Sequence, residues 1–329
     1  MLKSNQRCIR LFLAASAMNL SLTAAMPARA SDPEPNDTVA LPPNINLLLY
    51  YNIFNGTGTV TTAGGEDLNH TRIATNINVL RLIHTVDIAG YTAGAEIELP
   101  YAAFLGGQKI DGVGAAHQSG FGQPDLNVFF WPVNNPKTGT YVVLSGWFAP
   151  PISSFSKIHD LSIPTLTPAN NLMNETIEVG AATTIFGEQS KPNLSVQGWY
   201  DGYFYQDNPN YASTYLPTPF GPVGPVDATL REQPTQEFRF YLTYNFAPKV
   251  AGFGSIGFLQ SFGGKQTLRL TGVPDAVDTG SRTNESQFRF FLSSFVSPTI
   301  QTSLLFYYDV AVHGGPEQRF VGLRLAKFF

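Results

Sequence analysis

The sequence predicts an all-β fold: a single up-and-down antiparallel transmembrane β-barrel of about 12 strands, with long extracellular loops and short periplasmic turns. Three observations predict it. Apolar and polar residues alternate along segments of about ten residues, the length that crosses a bilayer as a tilted strand. Long and short connections alternate between those segments. The chain also ends on an apolar, aromatic run, "FVGLRLAKFF", where a soluble chain is usually frayed and polar.

The N-terminus reads as an export signal. "MLKSNQRCIRLFLAASAMNLSLTAAMPARA" has a basic head at Lys3, Arg7 and Arg10, an apolar middle, and Ala28-Arg29-Ala30 before Ser31. That anatomy predicts a signal peptide over 1–30, cleaved after Ala30. Its removal takes away Cys8, the only cysteine, so disulfides and thiol chemistry are excluded from the mature chain. It also removes four basic and no acidic residues, taking the formal charge from −4 to −8. An acidic balance argues against nucleic acid as a partner. Beyond the leader no apolar run reaches 18 residues, so no helix is expected to span a membrane. Residues 31–45 read as a short periplasmic segment, and 46–329 as the barrel.

The strands follow in order near 46–54, 73–84, 91–100, 123–132, 139–149, 175–186, 193–205, 236–246, 250–261, 286–296, 299–309 and 318–329. In "QEFRFYLTYNF", Phe238, Phe240, Leu242, Tyr244 and Phe246 share one face, and Glu237, Arg239, Tyr241, Thr243 and Asn245 the other. "YTAGAEIELP" sets Ile97 and Leu99 opposite Glu96 and Glu98. "LSVQGWYDGYFY" sets Val196, Tyr200 and Phe204 opposite Gln197 and Asp201. "TIQTSLLFYYD" sets Leu304, Phe306 and Tyr308 opposite Ser303 and Asp309. The second segment has an ambiguous phase, because "NINVLRLIH" puts Asn76 and Asn78 in one row with Leu80 and Leu82.

Connections at 55–72, 101–122, 150–174, 206–235 and 262–285 are long, and those at 85–90, 133–138, 187–192, 247–249 and 297–298 are short. The short ones carry turn residues, as in "NNPKTG" and "EQSKP". An even strand number puts both ends on the short-turn side. In the last strand Val321, Leu323, Leu325 and Phe329 face lipid and Arg324 faces inward. Lys327 falls on the lipid face, where its long stem can reach the headgroups.

A signal peptide, twelve such strands and a terminal Phe resemble a Gram-negative outer-membrane protein. In that class the C-terminal aromatic is part of the signal read by the barrel-assembly machinery, which makes Phe329 the corresponding residue here. The segments "NVLRLIHTVDIAGYTAGAEIELPYAAF", "SGFGQPDLNVFFWPV" and "YVVLSGWFAPP" resemble the outer-membrane β-barrel family of transporters of the MetA pathway of phenol degradation. The family's Gly-x-Gly-Asp turn is interrupted here by Gln123 and Pro124 before Asp125. The resemblance implies uptake of small hydrophobic or aromatic compounds.

With apolar faces toward lipid, the inward row includes Glu96, Glu98, Asp125, Glu178, Asp201, Arg239, Arg289 and Arg324. The acids fall on the first half of the wall and the arginines on the second, so closure is expected to set them face to face. Such a lumen would orient a dipolar or anionic solute, and alternate-strand arginines could meet a carboxylate with paired donors. Arg81 joins the basic set if the second strand takes the preferred register. Facing charges could equally be struts of a plugged barrel, and twelve strands allow either an open or a filled interior.

Other signals point away from catalysis and cofactors. "GFGSIG" at 252–257 lies within a strand pattern with no helix after it, so its glycines mark close packing rather than a nucleotide loop. His70, His84, His117, His159 and His313 have no metal-ligand spacing. Trp131, Trp147 and Trp199 are assigned to aromatic girdles in preference to a stacking platform. "ISSFSKIHDLSIPTLTPANNL" at 152–172 is long enough to fold into the barrel mouth, or to shield it from outside. The sequence thus predicts an outer-membrane channel, with outer-membrane lipid and a small-molecule solute as partners, and neither a metal nor another cofactor. The alternatives are a barrel enzyme acting on lipid through His84, a non-transporting structural or adhesive barrel, and a soluble secreted β protein.

Overall fold

Along the main strands, exposed and mostly apolar side chains alternate with buried ones. Leu304, Phe306 and Tyr308 are 58, 47 and 38% exposed, whereas Ser303, Leu305 and Tyr307 are 2, 3 and 8%. The computed structural model describes residues 32–329, apart from 63, 160, 162–163, 189–190, 217–222, 247–251, 274–275, 280 and 282–283. The expected leader over 1–30 and the short turn at 247–249 lie outside the described residues.

Twelve strands form the closed wall: β1 (Asn46–Thr57), β2 (Ile73–Ile88), β3 (Tyr91–Phe104), β4 (Asp125–Asn135), β5 (Thr140–Ala149), β6 (Asn174–Gly187), β7 (Asn193–Tyr205), β8 (Thr235–Asn245), β9 (Gly252–Gly263), β10 (Asn284–Ser297), β11 (Ile300–His313) and β12 (Arg319–Phe328). Each pairs antiparallel with its chain neighbours, and β12 returns to β1 with Leu47 opposite Phe328 and Gly56 opposite Arg319. Closure leaves the wall without an edge, as lipid demands of a spanning sheet. No helix occurs among the described residues. The predicted barrel, its strand order and its twelve spans are all present. Several strands run longer than expected, to 16 residues in β2 and 14 in β3, β6, β10 and β11. The β2–β3 turn is correspondingly reduced to Ala89 and Gly90, both at positive φ (53° and 85°), the pair of values a two-residue hairpin turn requires.

Strands longer than a bilayer is thick continue as a wall beyond it. There the long loops are more ordered than the sequence suggested. The stretch 206–235, read as a loop, contains Asn208–Leu216 and Val223–Glu232, which join Gln266–Leu270 and Val277–Asp278 in a separate four-stranded sheet. Pro209 and Pro225 interrupt the alternation that would have revealed them. This sheet has its own apolar cluster, in which Tyr211, Leu230 and Leu270 pack with Ile158 and Leu172 of the preceding long loop. Residues 167–170 of that loop line the outer mouth of the lumen, so this part folds inward.

The ambiguous phase of β2 resolves with Asn76 and Asn78 on the outer face. Their polarity is satisfied locally: Tyr50 and Asn52 donate to Asn78 Oδ1 at 2.6 and 2.8 Å, and Asn78 Nδ2 donates to Asn76 Oδ1 at 2.8 Å. A polar cluster that completes its own hydrogen bonds can face lipid at reduced cost. The same register turns Arg81 inward, where it is 5% exposed. At the C-terminus the Lys327 ammonium lies 4.9 Å from the ring centre of Phe329, at the rim.

The segment expected to hang in the periplasm, 31–45, takes a different course. Its described part from Asp32 to Leu41 enters the barrel and lies against the inner wall. Tyr241 donates to Pro33 O at 2.9 Å, Gln197 Nε2 to Glu34 O at 2.8 Å, and Trp131 Nε1 to Thr38 O at 2.8 Å. Val39, Ala40 and Leu41 pack on the wall's apolar cluster. Its carboxylates find buried guanidinium groups there, which is the physical reason it does not stay in water.

Inward aromatic rings lie flat over glycines of adjacent strands. A Cβ on Gly94 would sit 2.5 Å from Phe129 Cζ, one on Gly180 2.5 Å from the Trp199 ring, and one on Gly257 2.3 Å from Tyr241 Cδ1. Replacing Gly257 with valine should therefore destabilise the barrel by about 1–3 kcal/mol through overpacking. The expected readout is a lower urea midpoint for loss of the heat-modifiable, fast-migrating band on unboiled gels. An unchanged midpoint would contradict this packing.

Candidate functional site in the barrel lumen

The inner face carries a belt of charge at mid-height, built by strand register. Arg81 lies opposite Glu98, Glu98 opposite Asp125, Glu178 opposite Asp201, and Asp201 opposite Glu237. Of the eight residues predicted to line the lumen, Glu96, Asp125, Glu178, Arg289 and Arg324 border an inner cavity, and the other three lie on the same inward rows with no accessible surface. Glu98, Asp201 and Arg239 are fully buried, and Glu96, Glu178, Arg289 and Arg324 nearly so. Asp125 is half-buried and borders the outer cavity.

Their pairing differs from a simple opposition of two walls. Arg81 sits among the acids, with Nε 2.6 Å from Glu98 Oε1 and in contact with Glu96. Arg239 pairs with Asp201 and Glu237 on its own side of the barrel. The expected face-to-face neutralisation is therefore replaced by contacts between strand neighbours and by the N-terminal strap. Asp32 bridges two arginines, with Oδ1 2.7 Å from Arg239 Nη2 and Oδ2 2.5 Å from Arg289 Nη2. Glu34 pairs with Arg324, and Asp37 lies 3.9 Å from Arg324 Nη1 and 4.0 Å from Arg81 Nη1. Removal from water raises the carboxyl pKa of Glu34 and of Asp37, while Arg324 opposes the rise for Glu34 and Arg81 for Asp37.

Neutral groups complete the cradle. Arg289 donates to Gln287 Oε1 at 2.7 Å and to the Tyr241 hydroxyl at 3.1 Å, and stacks 4.7 Å from the ring centre of Tyr307. Arg324 donates to Ser303 Oγ and to Gln301 Oε1, each at 3.2 Å. The strap's part in the site was missed by sequence reasoning. One signal was available: "SDPEPND" concentrates three acids immediately before the first strand of a chain otherwise poor in charge.

The belt and strap divide the lumen. On the short-turn side is a cavity of ≈ 550 Å³, walled by Phe129, Trp131, Tyr141, Trp147 and Trp199 and bordered by strap residues 33–42. On the loop side is a smaller one of ≈ 160 Å³, and Trp147 lines both. The three tryptophans, expected in membrane-boundary girdles, are thus buried in the lumen, at 4, 7 and 5% exposure for Trp131, Trp147 and Trp199. The outer boundary positions are taken instead by rings such as Tyr91, Phe186, Tyr244 and Phe329. His84 faces outward, with Nδ1 2.8 Å from Asn46 Oδ1, and its cross-strand neighbours Asn46 and Ala95 supply no nucleophile.

Comparison with known proteins agrees with this architecture. Residues 54–326 match the family model described as "Putative MetA-pathway of phenol degradation". The COG4313 outer membrane channel from Pseudomonas putida F1 superposes with a TM-score of 0.70 at 18% identity, over 91% of this chain and 100% of that one. The KdgM porin is a looser likeness, with a TM-score of 0.39 at 10% identity over 84% of this chain and 97% of that one. No curated protein matches the chain.

Because Arg239 holds three carboxylates in the belt, Arg239→Ala should leave them buried and unbalanced, at a cost of about 3–5 kcal/mol. Urea unfolding followed by gel mobility measures this. A midpoint like that of the wild type would show that the belt does not support the wall.

Proposed function

The chain belongs to the family of the MetA pathway of phenol degradation, and on that premise we propose that this outer-membrane β-barrel is a passive channel taking up small hydrophobic, aromatic or anionic compounds. The observation that carries the reading is the ≈ 550 Å³ cavity inside a closed wall, apolar and aromatic around its sides and bounded by the charged belt. A cavity of that size holds a small organic molecule, and no step of such passage needs a bound cofactor or an energy source. The leader is removed on export, the short turns face the periplasm, and Phe329 is read by the barrel-assembly machinery.

The strap sets the resistance of the path. Asp32 and Glu34 occupy the guanidinium groups of Arg239, Arg289 and Arg324 that an anionic solute would otherwise meet. Passage through the belt then requires the strap to shift, or a solute carboxylate to compete for the same donors. Flux into liposomes tests the proposal directly. Vesicles with refolded protein should admit one-ring aromatic compounds at least several-fold faster than empty vesicles, and should exclude solutes much larger than the cavity. Equal rates with and without protein would overturn it.

The strap has its own test. Asp32→Asn combined with Glu34→Gln removes two anions from beside three arginines while preserving shape. Single-channel recordings should show a conductance raised by about twofold or more, with selectivity shifted toward anions. Unchanged conductance and selectivity would remove the strap from the conduction path.

A further inference from the structure

The belt holds more carboxyl groups than its arginines can match. Arg81 serves Glu96 and Glu98 at once, and Arg239 serves Asp201, Glu237 and Asp32. Arg289 shares Asp32, and Arg324 is taken by Glu34. Four guanidinium groups thus already answer six carboxylates.

Glu178 stands outside these pairs. Its register partner is Asp201, another acid, and the Arg239 beyond is bound to other carboxylates. Among the described residues no ion pair reaches Glu178. Its Oε1 accepts from Ser145 Oγ and, at 3.4 Å, from Trp147 Nε1. Its Oε2 receives no hydrogen bond among the described residues, yet it keeps accessible surface, unlike Asp201 Oδ1 and both Glu98 oxygens, which are sealed. Glu178 borders the inner cavity and not the outer one, so that surface belongs to the inner cavity.

Aromatic faces flank this carboxylate. Gly180 lies two residues along the same strand and opposite Trp199, whose ring rests over it. One indole face is therefore against the wall and the other is turned to the lumen. Trp147 lies on the other side, and Phe129 rests over Gly94 in the same manner. The negative face of an aromatic ring attracts a cation, most strongly for Trp and where water is scarce.

Charge narrows the choice of guest. A carboxylate without a countercharge in such a place takes up a proton or a cation. An anionic guest would be repelled by Glu178, and the arginines that border this cavity, Arg81 and Arg324, are already held. A neutral guest would leave Glu178 unbalanced. The outer approach has the same sign, since Asp125, Glu232 and Glu285 border the outer cavity beside Arg289. A field of that sign draws cations inward.

From this arrangement we propose that the inner cavity is a binding site for a small organic ammonium ion with an apolar body. The ammonium donates to Glu178 Oε2, and its apolar body packs on the faces of Trp147 and Trp199. This goes beyond the channel reading, which names hydrophobic, aromatic and anionic solutes, while using the same cavity.

The test titrates the full-length barrel in a neutral detergent with three guests of one shape: cyclohexylmethylammonium, cyclohexylmethanol and cyclohexanecarboxylate. Calorimetry and tryptophan fluorescence report binding, corrected against empty micelles. The ammonium should bind saturably and at least about fivefold tighter than either of the others. Glu178→Gln keeps an acceptor for Ser145 and deletes the charge, so it should weaken the ammonium about tenfold and leave the alcohol within about twofold. The alcohol binding as tightly as the ammonium, the carboxylate binding tightest, or a Glu178→Gln variant that holds the ammonium like the wild type would overturn the site. If Glu178→Gln fails to assemble, the wild-type ranking alone decides. Flux of the same guests into liposomes separates the two proposals. Flux without saturable ammonium binding removes the site and keeps the channel, and binding without flux keeps the site and removes the channel.

Discussion

A backbone that crosses lipid has to satisfy its own N–H and C=O groups, since hydrocarbon offers no partners. The twelve strands meet this by closing β12 onto β1, and most of the remaining structure follows from that closure. Once the wall is closed, each strand has a lipid side and a lumen side, so a period of two residues becomes a division between solvents. The side chains on the inner face then have nowhere to go but a narrow shared interior. Charges placed there must be hydrated, neutralised or used.

Most of them are neutralised, and largely by near neighbours. Arg81 with Glu96 and Glu98, and Arg239 with Asp201 and Glu237, form compact groups on adjacent strands. Each such group removes ions from water and compensates through paired contacts and hydrogen bonds, a balance that is costly to disturb from one side. Among the described residues, the ion pairs of Arg289 and Arg324 come from the strap rather than the wall. Asp32 and Glu34 provide carboxylates from the strap, so its acidic end is held by electrostatics and by hydrogen bonds from Tyr241, Gln197 and Trp131, while Val39, Ala40 and Leu41 pack on the wall's apolar cluster. The same groups stabilise the wall and narrow the path through it.

Space is controlled by a different pairing. Rings that point inward could fill a twelve-stranded barrel, whose interior lies between the packed small barrels and the open large ones. Here Phe129, Trp199 and Tyr241 lie across Gly94, Gly180 and Gly257 instead, which flattens them on the wall. The result is an aromatic surface around an unfilled volume.

The division between sequence and structure falls along the range of the interactions. Alternation is local, so it was enough to place twelve strands and to turn Glu96, Glu98, Asp125, Glu178, Asp201, Arg239, Arg289 and Arg324 inward. Loop asymmetry gave the order of long and short connections, and the terminal aromatic run gave the last strand. Two interruptions limited this reading: Asn76 and Asn78 blurred the phase of β2, because their polarity is satisfied sideways by Tyr50 and Asn52, and Pro209 and Pro225 hid the outer sheet. What only the tertiary structure decided is who meets whom across the lumen. The docking of Asp32 between Arg239 and Arg289, residues more than 200 positions away, and the gathering of three tryptophans from β4, β5 and β7 depend on ring closure and register. Neither leaves a periodic trace in the chain, because contacts made through the interior are fixed by the curvature of the whole wall rather than by any one strand.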